Sequence, residues 1–167
     1  MALKHPAAEV VTLLDLLEEA FSRKSWHGPN LRGSLRGMSA DEATFRPGPG
    51  RHSIRELVVH AAYWKYAVRR QLTGEKRGSF PLTGSNWFPR SDEPDAPGWR
   101  ADIALLVREH ALLVAVVAGL SPADLYRRPK GKRYTVAHLV RGAAAHDFYH
   151  AGQIQLLKRL APRASGS

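Results

Sequence analysis

The sequence predicts an all-α four-helix bundle, on three observations. Four segments place apolar side chains at helical spacing, two long connections and one shorter one join them, and an ungapped internal repeat divides the chain into two related halves. At 167 residues the chain suits one domain with a substantial core, here taken as residues 1–161, with 162–167 as a flexible tail.

Helix one runs from Pro6 to about Lys24, where Val10, Leu13, Leu14, Leu17 and Phe21 recur at helical spacing and acids occupy the other face. Pro6 is tolerable in a first turn. Trp26-His27-Gly28-Pro29-Asn30 ends the helix as a turn, and His27 reads as an ordinary loop histidine. In the long connection Leu31 to His52, a short helical turn is expected at Ser39–Thr44, capped by Ser39 with Glu42 three residues on.

Ser53 caps helix two, which continues to about Leu72 and puts Ser53, Leu57, His60, Trp64, Ala67 and Gln71 on one face. Residues 75–98 are loop, yet carry Phe80, Trp87 and Phe88. Aromatics in so long a loop pack over something, either the mouth of a pocket or the outside of the bundle. Helix three runs from about Trp99 to Ala118 with Gly119 as its stop, and His110 on its apolar side reads as a satisfied core histidine. Helix four runs from about Thr135 to Leu160. The link between helices two and three can cross the bundle's length, so up-down-down-up order is expected, with helices two and four as antiparallel neighbours.

The repeat has an offset of 82 residues. Gly37-Met38-Ser39, Arg46-Pro47, Arg51, Ser53-Ile54, Leu57-Val58 and Ala61-Ala62 return as Gly119-Leu120-Ser121, Arg128-Pro129, Arg133, Thr135-Val136, Leu139-Val140 and Ala143-Ala144. In that register Trp64 matches His146 and His60 matches Gly142, whose missing side chain leaves room beside a ligand.

Helix four carries the chemistry. At about 100° per residue, Leu139, Gly142, His146, His150, Gln153, Leu157 and Leu160 form one stripe, the face expected to be buried. Two imidazoles and an amide buried there without partners would cost several kcal/mol. A divalent metal is the simplest partner, and His60 on the inner face of helix two supplies a third ligand. Glu56, one turn before His60, either accepts the hydrogen bond from the His60 nitrogen not facing the metal or is a surface Glu paired with Arg or Lys. Gln153 either orients a ligand at the site or ties helices together, and Asp147, about 100° from His146, is expected to serve in an ion pair or in packing.

Composition narrows the options. Without cysteine there is no disulfide, no thiolate site and no nucleophilic thiol in the chain itself. The apolar run Val10–Leu17 is broken by Asp15 and followed by Glu18 and Glu19, so no signal peptide is read, and no stretch reaches membrane-spanning length; a cytoplasmic protein is expected. The net charge of +10 raises an anionic small molecule as a partner, beside the plain reading of a solvated basic surface. It does not point to nucleic acid, because Lys and Arg are scattered without a basic stripe or motif.

The segments His-Ser-Ile-Arg-Glu-Leu-Val-Val-His at 52–60 and His-Asp-Phe-Tyr-His-Ala-Gly-Gln-Ile at 146–154, with Trp26-His27-Gly28 and the Arg-Pro pairs, resemble the DinB-like family, including its YfiT-type members and bacterial thiol-dependent transferases. The resemblance implies an up-down-down-up bundle with a three-histidine site, often for zinc or nickel, carried by His60, His146 and His150. It also allows a homodimer. Relatives that transfer thiols such as bacillithiol or mycothiol, a thiol-dependent isomerase and metal-dependent hydrolases all imply a small-molecule enzyme. A low-molecular-weight thiol cofactor or water would then act on the substrate. The alternative is a non-catalytic metal- or ligand-binding bundle.

Overall fold

The computed structural model describes residues 7–162. Pro6 and most of the expected tail, residues 163–167, lie outside them. Seven helices and no strand occur among the described residues: α1 (Ala8–Phe21), α2 (Leu31–Ser34), α3 (Ala40–Thr44), α4 (Ile54–Thr73), α5 (Ala96–Ala118), α6 (Pro122–Tyr126) and α7 (Val136–Leu160). The four long ones are the four that apolar spacing predicts. None is long and apolar enough to cross a membrane.

Capping chemistry sets most boundaries. Ser39 with Glu42, and Ser53 with Glu56, close reciprocal capping boxes at α3 and α4, while Gly74 ends α4 in the left-handed conformation at φ 79°. α5 begins three residues ahead of Trp99, because Asp95 accepts from the Gly98 N–H and Pro97 fits the first turn. α1 stops at Phe21, short of Lys24, where the N–H groups of Ser22 and Arg23 both donate to the Glu18 carbonyl. Two short helices were not expected from the sequence. Asn30 caps α2, and Ser121 with Asp124 forms the capping box of α6.

The repeat is structural. Shifting α3 and the start of α4 by 82 residues lands on α6 and the start of α7. Lys65 and Asp147, equivalent positions in that register, meet as a buried ion pair, so the two halves touch at corresponding points.

Along α4 and α5 the contacts run in the same order, Arg55 meeting Asp102 and Lys65 meeting His110. Along α4 and α7 they run oppositely, His60 lying against His150 and Trp64 against His146. Val10, Leu13 and Leu17 of α1 pack with Leu113 and Val117 of α5 and Val136 and Val140 of α7. A second cluster joins Phe21, Leu31, Leu57, Val58, Leu106 and Ile154.

The stripe expected on α7 needs correcting. The buried face is Val136, Val140, Ala143, Ala144, Asp147, His150, Ala151, Ile154 and Leu157. His146 and Gln153 sit at its edge, and Gly142 and Leu160 are exposed. The core face is turned toward Asp147, which can lie there because Lys65 crosses from α4 to meet it.

Candidate metal centre

α4 and α7 deliver three imidazoles to one point. His146 Nε2 lies 3.1 Å from His60 Nε2 and 2.9 Å from His150 Nε2. His60 and His150 are buried and His146 is half-buried.

The outer nitrogens are committed. His60 Nδ1–H donates to the carbonyl of Asn86 at 2.8 Å. His150 Nδ1–H donates to Gln153 Oε1 at 2.7 Å, and the Gln153 amide nitrogen donates in turn to the Tyr149 hydroxyl. In neutral imidazoles this leaves both Nε2 atoms as bare lone pairs aimed at His146. His146 has one Nε2 and can donate to one of them only. At Zn–N distances of about 2.0–2.1 Å, nitrogens so spaced can share one ion, so the donor set fits a divalent metal.

Burial keeps these rings neutral. It pushes His146 down to about 3, helped by His150, His60 and Lys65, and His150 down to about 4 against the Gln153 hydrogen bond. Burial lowers His60 as well, opposed by its bond to Asn86. Neutral imidazole is the form that ligates metal.

The 75–95 loop forms one wall. Asn86, the single non-glycine at positive φ (66°) among the described residues, turns its carbonyl to His60, while its side chain accepts from Trp64 Nε1–H. Trp87 is stacked between His60, 3.9 Å away, and His52, 3.5 Å away. Of the two readings for the loop aromatics, the pocket wall holds for Trp87. Phe80 and Phe88 instead pack with Tyr63 and Tyr66. The sequence marks Trp87 only as a loop aromatic and gives no role to Asn86 or His52.

Glu56 does not reach His60; of its two readings the pairing with an arginine holds, though Glu56 is buried and not on the surface. As the third residue of its capping box its carboxylate curls back to the Ser53 N–H, and there takes a two-pronged bond from Arg46 and one from His52. It therefore supports His60 only through His52 and Trp87. Burial would raise the Glu56 carboxyl, but Arg46, His52 and Ser53 outweigh it and hold it at about 2, below its ordinary 4.5. Its contribution to stability is thus full above about pH 4.5 and is lost as pH falls toward 2. Glu56→Gln is expected to cost on the order of 2 kcal/mol at pH 7. In chemical denaturation the gap from wild type should narrow as pH drops below 4.5.

The remaining candidates lie apart from the cluster. His110 accepts from Lys65 and donates to Glu18 while stacked on Phe21. Burial and the nearby Lys65 and Arg32 push it down to about 3, as fits a core histidine. His27 sits edge-on to Phe148 in its turn. Asp147 is the ion-pair residue expected.

The cluster opens into a cleft of about 460 Å³ bounded by Arg51, His52, Leu57, Trp87, Tyr149 and Leu156. No carboxylate lines it. No curated protein matches the chain, and no solved structure does. The family model of the DinB superfamily matches residues 25–154, which include all three histidines, Asn86 and Trp87, and the chain belongs to that superfamily.

Proposed function

We propose that the protein is a metal-dependent enzyme in which His60, His146 and His150 hold a divalent ion, zinc or nickel, and that its substrate is a small anionic thiol used against an electrophile. The observation that carries this reading is the pair of bare Nε2 lone pairs converging on a third imidazole, an arrangement that a cation completes and hydrogen bonds alone do not. When bound, the ion would supply Lewis acidity, which lowers the pKa of a thiol or water so that its proton can pass to solvent.

The chain's own residues do the rest. Asn86 and Gln153 fix the tautomers of His60 and His150, and the Trp87 stack prevents the His60 ring from turning. Arg51 at the mouth offers a guanidinium to a carboxylate, and with no carboxylate lining the cleft, nothing there repels an anion. With no cysteine in the chain, the sulfur must come from a separate molecule. Water as the alternative nucleophile would make the protein a hydrolase.

Incubating the metal-loaded protein with cysteine-containing thiols and a panel of alkyl and aryl electrophiles tests the reading. Thiol consumption above the uncatalysed rate, weakened in Arg51→Ala through KM, is the expected result. Turnover of activated esters without thiol consumption would replace transfer by hydrolysis, and turnover of neither would leave a binding protein.

A further inference from the structure

The 82-residue repeat relates the histidine cleft to a second hollow. Applied to the cleft walls, it carries His52 to Tyr134, Leu57 to Leu139 and His60 to Gly142, and returns His146 to Trp64 and His150 to Val68. Those five residues come together in the structure. They line a separate cavity of about 210 Å³, with His146 as a wall common to both. The two hollows flank the Trp64–His146 pair, whose rings are 6.2 Å apart, along the seam between α4 and α7. One has four imidazoles, those of His52 and of the three-histidine cluster. The other has glycine, tryptophan and valine in the places of the cluster's three and Tyr134 in that of His52.

That exchange converts a polar hollow into an apolar one. No Asp, Glu, Lys or Arg among the described residues lines the second cavity. Tyr134 and His138 are stacked at its edge, 4.2 Å apart and 5° from parallel, and Trp64 is 38% exposed. A Cβ at Gly142 would meet no atom within 4 Å, so its absence leaves free space. An apolar cavity of about 150 Å³ accommodates benzene. The space here suits one ring with a short substituent.

We propose that this second cavity is a binding site for a neutral, single-ring aromatic group. In the thiol-transfer reading, on which this further role rests, it seats the apolar end of the electrophile while the anionic thiol occupies the histidine cleft.

Titration of 4-fluorotoluene into the metal-free full chain, followed by ¹⁹F NMR and by the Trp64 Nε1–H resonance, tests the site. Saturable one-site binding that shifts that resonance is expected. Gly142→Leu adds a side chain to the cavity wall at a position where its Cβ meets no atom within 4 Å, and should weaken binding by roughly tenfold or more, while Arg51→Ala should leave it unchanged. Absence of saturable binding, or equal binding by Gly142→Leu, would overturn the assignment. Because the titration needs no metal, its failure and that of the metal reading are distinguishable.

Discussion

His60→Ala should abolish stoichiometric metal retention. Protein prepared without a histidine tag and loaded with zinc or nickel is expected to keep about one ion per chain. Disturbing a group that merely orients a ligand costs about 10–100-fold in affinity, so removing a ligand itself should cost more than about 100-fold. Loading also stabilises the fold. At a free-ion concentration about 1,000 times Kd the gain is about 4 kcal/mol, on the order of 10 °C in Tm for a chain of this size. The wild-type Tm should rise on metal addition and that of His60→Ala should stay flat. An equal rise in both would mean that the ion binds elsewhere.

The three-histidine cluster is legible in the sequence because its signal is local. His146 and His150 are one helical turn apart, and His60 lies in a well-capped helix with clear apolar spacing, so only the meeting of α4 and α7 has to be supplied. What fixes the three rings is not legible. Asn86 donates no pattern to hydropathy; its role comes from a positive φ within an irregular loop, which turns a backbone carbonyl, not a side chain, toward His60. Trp87 was visible only as an aromatic needing cover. Spacing alone leaves Glu56 open between His60 and an ion pair, because an ideal helix ignores the capping box, which bends the third residue's carboxylate backward to Ser53 and Arg46. α6 could have been read from the repeat, since Ser121 and Asp124 stand where Ser39 and Glu42 stand.

Lys65→Met should be the most destabilising single change at a distance from the cleft. Lys65 and Asp147 are buried almost completely, and removing one partner of such a pair costs about 3–5 kcal/mol, because the other charge is left without compensation. Sequence periodicity missed the depth of this pair, since an Asp among small residues does not mark a core face until its partner from another helix is known. Asp147 already shows the tension: burial pushes its carboxyl up to about 6 from 3.8, against the pull of the Lys65 ammonium. Without that ammonium its folded-state pKa rises further above the unfolded value. The deficit of Lys65→Met should therefore grow as pH rises above about 6, where Asp147 ionises in the wild type and has no partner in the variant, and should be smaller and nearly level below 6, where the carboxyl is protonated in both folded proteins. Replacing both, as Lys65→Met with Asp147→Leu, should restore most of the loss, because apolar side chains of similar volume need no partner. Urea unfolding of the two single variants and the double separates the possibilities. Additive losses in the double variant would mean that each side chain supports the fold through other contacts, such as Lys65 with His110 and Phe21, and that the meeting of the two halves at this pair is not what holds α4 against α7.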